Sequence, residues 1–492
     1  MKMNNPKRLH PVAAVLRFLQ SLKELAVPLV VFLFVGGRGE EKAFDLIFIA
    51  GTLVLVVGML VFGILTWLRF TYVVEEGELR IEQGVFVRNK RFIPLEKIQT
   101  IDVTSGVIQR LFGLVKVQVE TAGGKAEAEV VLTAVTKKEA NNLKAVIQNQ
   151  LLVEEVEEQT NVFTINQRAL IVMATTSGGV GVVFAGIFAF ISQFDELLPL
   201  DAMYQYAEEL ISSSITLVTL YILLIVVVSW IISIVSTALK YGNFTLRQRG
   251  NNLFLSRGLL EKRELTIPLK KIQAVRIQEN IIRQWLGYST VYVEVAGGGN
   301  DEKGEYSTIL APIIKTNLVT EFMKRYTPEF VVEEEVVPVP ARARKKYILK
   351  PVLPALLITL ILIYFIGIWG LLGIVLIVLG GTIGYAMYLE AGFRVKEMQI
   401  KLRYRFINRQ TVFAKRNRVQ SYRYSQSYLQ KAENLASIII WTQSKLMGKH
   451  FSVVDVEESK AVELYKWYSY HGEKLYSSSE SDSNYTPSKK QP

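Results

Sequence analysis

The chain has 492 residues, half of them hydrophobic, and a mean hydropathy of +0.25, too apolar for a water-soluble protein with 21% charged residues. It has no cysteine and three scattered histidines, His10, His450 and His471, which excludes disulfides, thiolate metal sites and Cys nucleophiles and leaves no histidine cluster for a metal. The net charge of +12 reads as the lysine and arginine excess of cytoplasmic segments in a membrane protein, ahead of a nucleic-acid footprint.

The N-terminus carries Lys2, Lys7, Arg8, Arg17 and Lys23 before an apolar stretch, Leu25 to Val35, interrupted by Pro28. No small-residue cleavage pattern follows, so the segment reads as membrane-associated and not as a signal peptide. A second apolar run, Ala43 to Leu68, exceeds the roughly 20 residues needed to span a bilayer. Residues 1–68 are thus expected to hold the first transmembrane hairpin.

From Arg69 to Leu151 the pattern turns to strands. Val115, Val117 and Val119 alternate with polar residues, and Glu78–Glu82 and Val85–Arg88 flank Gln83-Gly84 as in a hairpin. Gly123-Gly124 reads as a further turn. Thr136 and Glu139 form a capping box ahead of a helix whose apolar face is Ala140, Leu143 and Ile147.

The order then repeats. An acidic linker and two apolar runs, Ala169 to Ile191 and Ile211 to Leu239, occupy residues 152–239, and a second β domain covers 240–327. Another linker, with Pro338, Pro340 and a basic run at 342–350, leads to apolar runs Pro351 to Trp369 and Gly370 to Leu389. A third β domain fills 391–476, and residues 477–492 read as a disordered polar tail. Small residues at Gly181, Ala185 and Ala189, and at Gly373, Gly380 and Gly384, have spacings that let membrane helices pack closely.

The repeat is explicit in one ungapped window. Ile93 to Gly124 and Ile267 to Gly298 match at fourteen of thirty-two positions, including Ile-Pro-Leu, Lys-Ile-Gln and Ala-Gly-Gly. A worn third copy around Arg418-Val419-Gln420 lacks both the Pro and the Gly. Pro94 and Pro268 suit a strand edge or turn, Gly113 and Gly287 a turn, and the valines a core face.

Charged residues are nearly absent from the middles of the spans, whereas ion-coupled transport places acids or histidines there. Thr175-Thr176-Ser177 and Ser229, Ser233 and Ser236 read as helix-packing hydroxyls before a substrate path. Gly297-Gly298-Gly299 lacks a following Walker lysine and helix, and no Ser-His-Asp arrangement stands out. The sequence therefore points to no enzyme, no catalytic or metal-binding residue and no cofactor. The third domain is basic and aromatic, with Arg403, Arg405, Arg416 and Arg418 beside Tyr404, Phe406 and Tyr422. Such a face suits an anionic lipid surface or a partner protein before nucleic acid.

Arg69 to Gly84 (RFTYVVEEGELRIEQG), the Ile-Pro-Leu-Glu-Lys-Ile-Gln run and the strand ending in Ala-Gly-Gly, each set behind two spans, resemble the bacterial pleckstrin-homology-like, or membrane-flanking, domain family. The whole chain is similar to its long members with several such units. The resemblance implies a seven-stranded antiparallel β sandwich or barrel with a C-terminal helix in each unit, anchored in a bacterial cell membrane. It also implies resistance to membrane-active bacteriocins and a shorter membrane protein with the same domain as partner.

The expectation is an α+β integral membrane protein: six transmembrane helices in three hairpins, each followed by a PH-like domain, with the N-terminus and all three domains cytoplasmic. Its function is expected to be that of a scaffold or interaction module in membrane protection. The alternatives are a transporter or exporter of peptide or lipid, and a sensor of the anionic membrane surface. Membrane lipids are expected as partners and nucleic acid is not. The candidate interaction residues are Lys97, Gln99, Lys271 and Gln273, read as exposed, with Arg403, Arg405, Arg416 and Arg418.

Overall fold

The computed structural model describes residues 6–24, 42–121, 130–149, 161–177, 181, 185–186, 215–295, 307–331, 333–443 and 448–469. The expected turn at Gly123-Gly124, the first apolar stretch, the acidic linker and the polar tail lie outside them. The chain forms two compact units, residues 1–164 with 238–268 and residues 165–237 with 269–492.

In the first unit the chain opens with a two-residue strand, β1 (Lys7–Arg8), then helix α1 (Val12–Glu24). Helix α2 (Lys42–Leu68) leads into β2 (Thr71–Glu75), which pairs antiparallel with β1. With β3 (Glu78–Gln83) and β4 (Asn89–Pro94) they make a four-stranded sheet in the order β1-β2-β3-β4. The second strand of the expected hairpin starts at Asn89 and not at Val85. Gly84 turns the chain at φ +118°, where a side chain is strained, and Phe86 and Val87 stay exposed in the loop.

A 3-10 turn at Leu95–Lys97 carries the chain to β5 (Ile98–Ser105), short helix α3 (Val107–Leu111), β6 (Leu114–Thr121), β7 (Val130–Thr136) and closing helix α4 (Lys137–Asn149). The capping box is present: the Glu139 amide donates to Thr136 Oγ1 at 3.2 Å and the Thr136 amide to Glu139 Oε2 at 3.4 Å. Leu79, Ile81 and Ile93 of the first sheet meet Val117, Val119, Leu132 and Leu143 in one core. Each such side chain contributes roughly 1.5–3 kcal/mol by leaving water.

The second repeat begins with β8 (Asn161–Thr164), β9 (Thr245–Arg249), β10 (Asn252–Arg257) and β11 (Lys262–Pro268). These strands do not form a separate sheet. β11 pairs antiparallel with β5, giving one seven-stranded sheet, β7-β6-β5-β11-β10-β9-β8.

The second unit repeats the arrangement. It contains helix α5 (Gln167–Thr176), most of helix α6 (Ile215–Tyr241), β12 (Ile272–Glu279), α7 (Ile281–Trp285), β13 (Tyr288–Val295), β14 (Ser307–Lys315) and α8 (Val319–Tyr326). The third repeat supplies β15 (Val337–Pro338), helices α9 (Arg344–Ile366) and α10 (Ile374–Glu390), β16 (Gly392–Lys396), β17 (Gln399–Arg405) and β18 (Arg409–Lys415). β18 pairs with β12 to complete a seven-stranded sheet, β14-β13-β12-β18-β17-β16-β15. β19 (Val419–Ser425), α11 (Tyr428–Lys431), β20 (Leu435–Thr442), β21 (Lys449–Glu457) and α12 (Glu458–Tyr468) follow, the strands forming a three-stranded sheet.

Among the described residues each repeat therefore holds seven strands and a closing helix, but its first strand (β1, β8 or β15) precedes its long apolar helix. That first strand pairs antiparallel with the strand that follows the long apolar helix, β1 with β2, β8 with β9 and β15 with β16. Strands of two to four residues carry too little alternation to be seen in sequence.

Among the described residues three segments are long and apolar enough to cross a membrane: Ala50–Leu68, Leu223–Tyr241 and Ala341–Glu390. The last folds back through a 3-10 turn, Gly367–Gly373, so that α9 and α10 run antiparallel. Gly384 faces Tyr347 and Ile348, Gly380 faces Pro351, and Gly373 faces Thr359, the close contact expected of small residues on one face. The third expected hairpin is thus described in both arms, and one long apolar helix is described in each of the first two membrane segments expected. The Leu25–Val35 arm and eleven residues of Ala169–Ile191 lie outside the described residues.

Candidate functional site

The feature that recurs is the strand junction between repeats. In the first unit β11 lies against β5 with Lys262 opposite Ser105, Leu265 opposite Asp102 and Thr266 opposite Ile101. In the second, β18 lies against β12 with Arg409 opposite Glu279, Val412 opposite Arg276 and Phe413 opposite Val275. Counted from the shared Ile-Pro-Leu-x-Lys-Ile-Gln frame, these are the same positions in the same register. A one-residue slip would turn every side chain to the other face, so two independent junctions in one register mark an interface built into the repeat.

Charge holds both junctions. Asp102 is 2% exposed, accepts from Arg263 Nε at 2.6 Å and from Thr104 Oγ1 at 3.2 Å. At the second junction Glu279 accepts from Arg409 Nε, from Ser289 Oγ at 2.6 Å and from Thr316 Oγ1 at 3.3 Å, while Arg409 also reaches Glu390 at 3.1 Å. Burial pushes the Glu279 carboxyl up, but the hydrogen bonds from Arg409, Ser289 and Thr316 and the Arg409 charge together hold it below the ordinary carboxylate range. Behind the junction Arg276 donates to Glu294 at 3.1 Å, and Lys449 from the third repeat approaches the same carboxylate at 3.0 Å. Closing helix α4 also crosses a repeat boundary, setting Lys144 over the ring of Phe254 at 5.0 Å.

The two outermost members of the series are left as sheet edges. β4, the counterpart of β11 and β18, ends the first sheet, and β19, the counterpart of β5 and β12, ends the last. Among the described residues no further strand pairs with either. Phe92 is 57% exposed, whereas its counterparts Thr266 and Phe413 are 4% and 5% exposed within junctions. Gln420, Ser421 and Arg423 on β19 are likewise exposed where Gln273, Ala274 and Arg276 are buried.

A second recurrent feature is apolar and exposed. The short helix after each β5-type strand shows Val107, Ile108 and Leu111, then Ile281, Ile282 and Trp285, then Tyr428 and Leu429. The loop before each β11-type strand adds Phe86, Leu259 and Leu260, and Phe406 and Ile407. Phe86 stacks on Phe62 of α2 with ring centroids 6.5 Å apart, and the Leu259 amide bonds the Leu239 carbonyl at the end of α6. The first two of these loops therefore touch the long apolar helices.

Lys97, Lys271 and Arg418 prove to be one repeat position, the end of the 3-10 turn between sheets. Lys97 is exposed; Lys271 is partly buried, its ammonium pushed down by burial and by Arg418 nearby. Gln273 is 5% exposed, with its amide donating to the Lys271 carbonyl at 2.9 Å, so it is not the exposed residue expected. The Gln99 side chain lies outside what is described. Arg418 donates to the Lys270 carbonyl at 2.7 Å and Arg416 to the Ser469 carbonyl at 3.1 Å. Arg403 and Arg405 lie toward the other end of β17, Arg403 3.7 Å from Glu335 and Arg405 bonded to Gln284. Each of the four arginines thus makes an intramolecular contact.

Sequence reasoning missed Asp102, Arg263, Glu279 and Arg409. One signal was available for the second junction: Arg88, Lys262 and Arg409 put a cation at the same position of every repeat, at or just before the start of the β4-type strand, whereas at the first junction the next residue, Arg263, reaches Asp102. Elsewhere Arg283 is buried and donates to Thr176 Oγ1 at 3.0 Å, and Asn280 donates to the Thr176 carbonyl at 2.9 Å. These bonds finish the C-terminal end of α5, where Thr176 Oγ1 also donates to the Val172 carbonyl at 2.7 Å. No group of three or more potential metal ligands occurs among the described residues.

The family model for the bacterial PH domain matches residues 26–151, 186–329 and 349–471. The chain is 36% identical over 490 residues to the UPF0699 transmembrane protein YdbT of Bacillus subtilis (strain 168), covering 95% of this chain and 99% of that one.

Proposed function

The chain belongs to the bacterial PH domain family, and from that premise we propose that it is a non-enzymatic membrane scaffold whose repeats are interaction modules for one another and for partner proteins. The observation that carries this reading is the pair of junctions in identical register. PH-like sheets here extend edge to edge, and each join is sealed by a buried or half-buried ion pair. The N-terminus and the domains lie in the bacterial cytoplasm, in keeping with the lysine and arginine excess of these segments. The assembly protects the cell membrane against membrane-active peptides, including bacteriocins.

The glycine-sealed packing of α9 on α10 supports a structural use of the third hairpin over a transport path. Purification of the full chain from gently solubilised membranes tests the scaffold: a stoichiometric protein partner is expected, and its absence overturns the reading. Deleting the gene and challenging cells with linear and circular membrane-active peptides tests protection. Greater sensitivity is expected, and unchanged survival across the panel removes that part.

A further inference from the structure

Resting on the scaffold reading, we propose that the outer edge of β4 binds an antiparallel edge strand of a different polypeptide built from the same PH-like repeat, one bearing a carboxylate where this chain has Asp102 or Glu279. The site is the missing third junction. β4 has the frame position of β11 and β18, both of which are covered by a β5-type strand, while β4 ends its sheet. Phe92 lies at the surface at a position that both junctions bury, an apolar area that an added strand would remove from water.

Charge selects the occupant. Arg88 and Lys90 are held at the edge by Glu82, at 2.5 and 2.9 Å. In both internal junctions a cation of the β4-type strand meets a carboxylate of its neighbour, Arg263 on Asp102 and Arg409 on Glu279. The chain's own β5-type strand β19, whose outer edge meets no strand among the described residues, has Arg423 and Gln426 at those carboxylate positions. In the common register Arg423 would fall opposite Arg91, so pairing with a second copy sets like charges face to face, which opposes it. A strand with Asp or Glu there gains the ion pair instead.

The test replaces Phe92 with a benzophenone amino acid in the full-length chain in its native membrane, followed by irradiation and peptide mapping. The expected result is an adduct with another PH-repeat protein, mapped to a strand with an acidic residue at one of the two positions. Arg88→Glu should reduce adduct yield roughly tenfold, as reversal of an interfacial charge does, and Phe92→Ala should weaken co-purification without that reversal. An adduct with a second copy, an adduct with an unrelated protein or with lipid alone, or no adduct overturns the proposal. If a partner co-purifies but Phe92 does not reach it, the strand-edge site fails while the scaffold reading stands.

Discussion

Arg263 and Asp102, 161 residues apart in the chain, are joined by a 2.6 Å hydrogen bond between strands of two different repeats. Removing one partner strands the other. Arg263→Ala leaves the Asp102 carboxylate buried without its guanidinium, and breaking such a pair costs about 3–5 kcal/mol. The purified variant should melt at lower temperature, and hydrogen exchange of the β5 and β11 amides should accelerate before that of the β20 and β21 amides.

Acid should loosen the second junction. The Glu279 carboxyl is held below its ordinary value, so the folded state binds fewer protons than the unfolded one through that range. Its contribution is complete above the unfolded value of about 4.3 and is lost as pH falls through the folded value. The difference in melting temperature between the native chain and Glu279→Gln should therefore be largest near neutral pH and shrink below about pH 4.3.

The third hairpin gives a matched pair of substitutions. A Cβ on Gly384 would sit 2.6 Å from the Tyr347 carbonyl oxygen and 2.7 Å from the Ile348 Cα, whereas one on Gly381 would meet only Val352 Cγ2 at 3.9 Å. Gly384→Ala should cost roughly 1–3 kcal/mol by pushing backbones apart, and Gly381→Ala should stay within about 0.5 kcal/mol. Thermal unfolding in detergent compares them.

Asn434 occupies the repeat position of Gly113 and Gly287, and all three are left-handed, at φ +53°, +65° and +69°. Asn434→Gly should be nearly neutral. Asn434→Val and Gly287→Val should each cost about 1–2 kcal/mol, for backbone reasons alone at Gly287, where nothing lies within 4 Å of a new Cβ.

The exposed apolar helices are expected to meet lipid. Trp285 is 87% exposed at the tip of α7, so in brominated-lipid vesicles Trp285→Phe should remove a measurable share of the tryptophan quenching. Quenching that is unchanged would place α7 away from the bilayer.

The sequence by itself determined the repeat, the long apolar segments, the capping box at Thr136, the turns at Gly113 and Gly287 and the glycine face of the last hairpin. Each is a local rule: a period, a cap, a left-handed residue or a small-residue spacing, readable within one element. Tertiary structure decided which edge meets which. The strand alternation of β5 and β11 is the same whether their repeats stand apart or share a sheet, so no local pattern marks Asp102 as buried or Gln273 as covered. Even the apparent loss of the third glycine was local chemistry preserved, because Asn434 tolerates the same backbone. The joins depend on backbone hydrogen bonds and ion pairs between residues more than a hundred positions apart, and those contacts exist only once the sheets have formed.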